Sequence, residues 1–260
     1  MNNVIVPLNA FDRFEVLEKG QVSFIKLIAQ SGAFGVEIRR ELLQEEYHQL
    51  EQIRSEIEQY GLFTVYSAPI ECWKDDFQLN TECLTEVFQE GMILGAKWIK
   101  VSLGNFKKEE SHLLDLHAFL TQQPQEIQLL VENDQTLYGG NVRQLKSFFE
   151  SVAHQAIPVK MTFDTGNWYY AKQDVEEALR ELGTYVMYLH LKQVERQNGE
   201  LVTVPLQMEG NLSWKQVMQN LSAETVKALE FPIEPKEKTK QYIRFVTEPM
   251  IEREVTSCNH

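Results

Sequence analysis

The chain has 260 residues, with 25 Lys and Arg against 38 Asp and Glu, a formal net charge of −13 at pH 7. A hydrophobic share of 43% and a charged share of 24% are globular values, which exclude a disordered, collagen-like or coiled-coil chain. The acidic excess repels a phosphate backbone and no dense basic patch offsets it, so nucleic acid is not an expected partner.

Cys72, Cys83 and Cys258 make an odd count with no CxxC or metal-finger spacing, which points to a reducing compartment. The opening residues carry no basic region followed by an apolar signal-peptide stretch, and no segment offers the roughly 18 consecutive apolar residues of a membrane span. A soluble, cytoplasmic chain without a membrane partner is the expectation. Composition leaves monomer and homo-oligomer equally open.

In chain order, short apolar or β-branched runs recur at Val4 to Leu8, Gly35 to Ile38, Leu62 to Tyr66, Trp98 to Leu103, Ile127 to Val131, Val159 to Phe163, Tyr185 to Leu191 and Val226 to Leu229. Between them lie stripes with helical spacing: Leu50, Ile53, Ile57, Tyr60; then Leu84, Val87, Phe88, Met92; then Val142, Leu145, Phe149, Val152; then Val175, Leu179, Leu182; then Trp214, Val217, Leu221. Asn141 before Gln144 and Asp174 before Glu177 read as helix starts, and Gly61 and Gly95 as helix stops. His117 falls on the face of Leu113, Leu116 and Leu120 and reads as a core histidine.

Strand and helix alternate from end to end without a linker, so residues 1–260 are expected to form a single α/β domain, a (β/α)8 TIM barrel. The rival is an open doubly wound sheet. It lacks support because no glycine-rich phosphate loop follows an early strand, and Gly32 and Gly35 precede theirs.

Chemistry in such a barrel gathers at the C-terminal strand ends. There the apolar runs close on Glu132, on Asp164, on His190 and on Glu230. Any one of these alone is ordinarily a solvated loop residue or a satisfied histidine. Their recurrence at one register of consecutive strands is what points to a site. Three carboxylates and an imidazole in one mouth repel each other unless a cation is present, so one divalent ion is expected. Oxygen-rich ligation with a single nitrogen suits Mn²⁺, Mg²⁺ or Co²⁺, and Zn²⁺ is also compatible.

The segments Val131-Glu132-Asn133, Phe163-Asp164-Thr165-Gly166-Asn167, Leu189-His190-Leu191-Lys192 and Leu229-Glu230-Phe231, with Gly35-Val36-Glu37-Ile38-Arg39, resemble the xylose-isomerase-like TIM-barrel superfamily of sugar and sugar-phosphate isomerases and epimerases. The resemblance implies metal ligation by Glu132, Asp164, His190 and Glu230, with Glu132 and Glu230 also acting as an acid/base pair through a metal-stabilised enediolate. It implies a small carbohydrate substrate near Asn167, Arg196 and Glu37; by their strand positions Lys192 and Ser67 are further substrate candidates, Ser67 with backbone satisfaction as its alternative. The chain departs from ketose epimerases of that superfamily at Asn167, where they usually carry His, and at Tyr138, where they often carry Glu.

Lys192 has two readings, a substrate-binding cation or a salt bridge to a ligand carboxylate. Ser102 ends the fourth strand as Ser67 does the third. Trp73 and Trp168 read as packing before sugar stacking. Apurinic-site endonucleases of the superfamily need further histidines where this chain has Ser67, Ser102 and Asn167. The leading expectation is therefore a metal-dependent isomerase or epimerase of a small sugar, sugar phosphate or related polyol ketone. A dehydratase on the same barrel, or a non-catalytic sugar-binding protein, are the alternatives.

Overall fold

The computed structural model describes residues 3–44, 48–136, 138–207 and 213–247. Cys258 lies outside the described residues. The strands are β1 (Val4–Pro7), β2 (Gly35–Arg39), β3 (Phe63–Trp73), β4 (Trp98–Gly104), β5 (Gln128–Glu132), β6 (Val159–Asp164), β7 (Val186–Leu191), β8 (Gln193–Gln197), β9 (Glu200–Val204) and β10 (Val226–Leu229). Eight of them close into a parallel barrel in the order β1-β10-β7-β6-β5-β4-β3-β2, while β8 and β9 form an antiparallel hairpin immediately after β7. The helices are α1 (Arg13–Lys19), α2 (Val22–Gln30), α3 (His48–Tyr60), α4 (Thr81–Leu94), α5 (Leu113–Thr121), α6 (Val142–His154), α7 (Asn167–Tyr170), α8 (Val175–Leu182), α9 (Ser213–Asn220) and α10 (Thr239–Thr247). Among the described residues no helix is long and apolar enough to cross a membrane.

Local chemistry sets the element ends. The Asn141 side chain accepts from the backbone N–H groups of Arg143 and Gln144, and that of Asp174 from Glu177, so both helices start where a side-chain acceptor meets unpaired donors. Gly95 stops α4 with φ +75°, a conformation that costs a residue with a Cβ more than it costs glycine.

Alternation along each strand divides the side chains into two environments. Val4, Val6, Val36, Ile38, Ile99, Val101, Leu129, Val131, Met161, Phe163, Leu189, Leu191 and Leu229 join the helices in the main core. Ile5, Val65, Leu130, Tyr188 and Ala228 form a separate small cluster within the barrel, with Phe34, Phe63, Trp98, Met187 and Val226 packed against it. Two residues further on, the same inner face carries Lys100, Glu132, His190 and Glu230.

Two expectations are corrected. β3 runs past Tyr66 to Trp73, with a register shift against β4 between Ser67 and Glu71, so Ser67 is a mid-strand residue and not a strand end. Trp73 anchors the extension, fully buried with its ring 5.6 Å from Phe106. His117 is exposed, because the buried arc of α5 is made by Leu113, Leu116, Phe119 and Leu120 and His117 falls just outside it.

Candidate metal centre

The inward face of β7 carries Tyr188 and then His190, and period two applies equally to Leu130 and Glu132 on β5, and to Thr162 and Asp164 on β6. The parallel register sets Asp164 opposite His190 and Ala228 opposite His190 on the other side, so the residue after β10, Glu230, reaches the same level. One ligand-type atom each from Glu132, Asp164, His190 and Glu230 falls within a set whose members all lie within 4.8 Å of one another. His190 presents Nδ1 to this set, 2.8 Å from Glu230 Oε2, 3.1 Å from Glu132 Oε1 and 3.9 Å from Asp164 Oδ2.

Each carboxylate has one oxygen held and one turned inward. Asp164 Oδ1 accepts from the backbone N–H of Gly166 at 2.7 Å and of Asn167 at 2.8 Å. Glu132 Oε2 accepts from Lys100 Nζ at 2.6 Å, and Glu230 Oε1 from Asn9 Nδ2 at 2.9 Å and Arg39 at 3.2 Å. The inward atoms Glu132 Oε1 and Asp164 Oδ2 are buried and accept no hydrogen bond. They keep only ion-pair contacts, to His190 Nδ1 and, at 2.7 Å, to Lys192 Nζ. Three carboxylate oxygens and one imidazole nitrogen, all within 4.8 Å of one another, are a donor set that fits a divalent ion.

The negative charge of the cluster is compensated within the protein, contrary to the expectation from sequence. Lys192 Nζ bridges Asp164 Oδ2 and Glu230 Oε2, Lys100 bridges Glu132 and Glu37, and Arg39 bridges Glu37 and Glu230. Repulsion alone therefore does not demand a metal; what points to one is the convergence of the inward atoms within 4.8 Å.

Charge and burial contend throughout the cluster. Burial would raise the Glu132 and Glu230 carboxyls, but Lys100 and His190 hold the first below the usual range, and Lys192 and His190 hold the second well below it. Asp164 goes the other way: burial, with Glu230 and Glu132 facing it, pushes it up to about 7 against the pull of Lys192. Burial and Lys100 would lower His190, yet the carboxylates of Glu37, Glu230 and Glu132 raise it well above its ordinary value. Lys192 is likewise raised, burial being outweighed by Asp164 and Glu230.

The residues expected to touch substrate divide. Lys192 is at the cluster, in its salt-bridged reading, with its stem laid against Gly166, where an added Cβ would come within 2.6 Å of Lys192 Cγ. Asn167 lies beside it, its Oδ1 accepting from Lys192 and Gln135 and its Nδ2 donating to the Asn133 carbonyl. Glu37 is not at the mouth but beneath the cluster, fully buried, with Tyr188, His190 and Arg39 on its oxygens. Arg196 is apart from it, exposed on the β8–β9 hairpin and donating to the Gly199 carbonyl, because β7 ends at Leu191 and the antiparallel turn carries Arg196 outward. Ser67 is buried within β3, in register with Arg39 and Lys100. Ser102 pairs with Glu132, and Trp168 packs 5.3 Å from Phe163 with no exposure, as its packing role implies.

Lys100, Arg39 and Asn9 were missed by sequence reasoning. The signal for Lys100 was present: in Trp98-Ile99-Lys100-Val101-Ser102 it shares the inward face with Trp98, so a charge stands where a barrel strand needs interior filling.

No family model matches the chain, and no curated protein matches it. Solved structures do. A probable 3-DHS dehydratase, AsbF, from Bacillus anthracis aligns with a TM-score of 0.67 and 14% identity over 95% of this chain and 99% of that one. D-psicose 3-epimerase from Clostridium cellulolyticum, solved with D-tagatose, aligns at 0.68 and 12% over 95% and 100%. The IolI protein, solved with a bound zinc atom, aligns at 0.68 and 15% over 94% and 98%. Endonuclease IV from Thermus thermophilus also matches, at 0.61 and 19% over 94% and 97%, so fold alone spans several chemistries. The chain has the fold of the xylose-isomerase-like TIM barrels.

Proposed function

We propose that this chain is a divalent-metal-dependent isomerase or epimerase of a small sugar, sugar phosphate or related polyol ketone. The observation that carries the reading is the convergence of Glu132, Asp164, His190 and Glu230 at the C-terminal end of the barrel, with inward atoms within 4.8 Å of one another. The fold shared with a D-psicose 3-epimerase and with a protein that binds zinc is consistent with it.

Glu132, Asp164 and Glu230 would hold the ion with oxygens and His190 with Nδ1. When bound, the ion supplies Lewis acidity that acidifies the C–H beside a ketone and steadies the negative charge developing on its oxygen. Glu132 and Glu230 do the proton work. They come from strands separated by β6 and β7, so they flank whatever lies over Asp164 and His190. One carboxylate takes the proton from the carbon, and the other, held ionised in the free site by the cations beside it, must take up a proton with the substrate before it returns one to the carbon. Lys192 and Asn167, at the rim of the same cluster, orient the substrate oxygens.

The test is solvent exchange. Glu132→Gln and Glu230→Gln are each expected to abolish deuterium incorporation at the substrate carbon, within the roughly 10²- to 10⁴-fold range of general acid/base catalysis. Persistent exchange in both variants sinks the assignment. The dehydratase reading uses the same ligands and the same C–H abstraction but expels a hydroxyl as water, and the fold shared with AsbF keeps it in view. Product analysis separates the two. A chain that takes up no divalent ion would favour the non-catalytic sugar-binding reading.

A further inference from the structure

Beneath the four ligand-type side chains the barrel interior carries a second level of charge that the proton chemistry does not use. Glu37 on β2 is fully buried, and its oxygens are separately engaged. Oε1 accepts from Arg39 at 2.8 Å and lies 3.5 Å from Lys100 Nζ; Oε2 accepts from Tyr188 OH at 2.8 Å and faces His190 Nε2 at 3.0 Å. Lys100 on β4 is 2% exposed, and its short contact is to Glu132 Oε2 at 2.6 Å. Barrel interiors at this depth are ordinarily packed with branched apolar side chains, and a buried ion pair is not a stabiliser relative to them. A pair kept only for stability would make its shortest contact within itself. Here each member reaches past the other to a different ligand residue.

We propose that Glu37 and Lys100 are positioning residues for the metal centre. Glu37 takes the Nε2–H of His190, which fixes the ring with Nδ1 toward the carboxylates. Lys100 takes Oε2 of Glu132, which leaves Oε1 as the atom that faces the cation. Tyr188 and Arg39 complete the donors around Glu37, so the carboxylate has one orientation open to it. Partners of this kind, one bond removed from the ion, set ligand geometry and tautomer and are worth about 10- to 100-fold in metal affinity. The inference rests on the metal-centre reading above and adds which residues hold its ligands in place.

Mn²⁺ binding by calorimetry on the full chain tests it, comparing the unaltered protein with Lys100→Met and with the double variant Glu37→Gln/Lys100→Met, which removes one buried charge of each sign. Both are expected to bind Mn²⁺ about 10- to 100-fold more weakly while their circular dichroism spectra stay unchanged. Mn²⁺ affinity equal to that of the unaltered protein in folded Lys100→Met overturns the inference and leaves the metal centre standing; an unaltered protein that takes up no Mn²⁺ overturns the metal-centre reading and the inference with it. Should both variants fail to fold, ¹⁵N NMR of the unaltered chain with Zn²⁺ decides the matter. A His190 protonated at Nε2, with its Nδ1 resonance shifted by Zn²⁺, supports the positioning role, and the opposite tautomer overturns it.

Discussion

The two halves of the barrel contribute different things to its mouth. From β5, β6, β7 and β10 come the inward ligand-type atoms of Glu132, Asp164, His190 and Glu230. From the turn after β1 and from β2 and β4 come Asn9, Glu37, Arg39 and Lys100, which hold those residues from behind. Lys192 is the exception, a cation on the ligand half. The difference teaches that a converging set of carboxylates is only half of such a site. The other half is the scaffold that decides which oxygen of each carboxylate is free.

The largest effect is expected where the ligand half is broken outright. Asp164→Asn keeps the oxygen that accepts from Gly166 and Asn167, so the turn after β6 has no reason to unfold. It replaces Oδ2 by an amide N–H₂, which would stand 2.7 Å from Lys192 Nζ as donor against donor. Mn²⁺ affinity by calorimetry should fall by more than the roughly 100-fold that bounds residues acting through another. A smaller loss than in Lys100→Met would reverse the division between the halves.

The division also explains what could be read from the sequence. All eight barrel strands were legible, because apolar and β-branched runs, caps and turn residues are local signals. The ligand half was legible because each of its strands ends its apolar run on one ionisable residue. The supporting half was not. Lys100 lies within its strand, Arg39 was seen only as part of a motif, and Glu37 was placed at the substrate when it is buried beneath the Glu132, Asp164, His190 and Glu230 cluster. What fixed their roles is cross-barrel contact between β2, β4 and β7, separations of up to 153 residues that no local pattern records. The extension of β3 to Trp73 was missed for a related reason: the shift between Ser67 and Glu71 breaks the alternation that a strand reading depends on.

A pH series sharpens the same comparison at intermediate size. Asp164, pushed up to about 7 by burial and by the facing carboxylates, keeps its proton through the mildly acidic range, and His190 is raised well above its ordinary value. A divalent ion must displace those protons, so affinity should rise with pH by at least about tenfold per unit below 7. The stability linkage has the opposite sign. A carboxyl whose folded pKa is raised contributes stability that is present below its unfolded value near 3.9 and is lost as pH climbs through about 7. Chelated protein should therefore lose this contribution between pH 4 and 7, over the same window in which Mn²⁺ binding strengthens. Thermal melts with EDTA and with Mn²⁺ measure both, and parallel pH curves would show that Asp164 is not the titrating group.

The smallest effect is expected at Arg196, where resemblance and structure give opposite answers. Resemblance implies a substrate contact six residues after His190. The structure instead ends β7 at Leu191 and sends the chain into an antiparallel hairpin, where Arg196 pairs with Leu201 and its guanidinium donates to the Gly199 carbonyl at 2.6 Å. That bond is exposed, so water replaces it at little cost when it is removed. Arg196→Ala should change stability by no more than about 0.5 kcal/mol and leave KM and kcat as they are. Lys192→Met should raise KM, because Lys192 Nζ sits 2.7 Å from Asp164 and 3.0 Å from Glu230 and Arg196 touches neither. If Arg196→Ala raised KM while Lys192→Met did not, the hairpin would have to fold over the substrate during turnover, and the cation that orients the substrate would be Arg196.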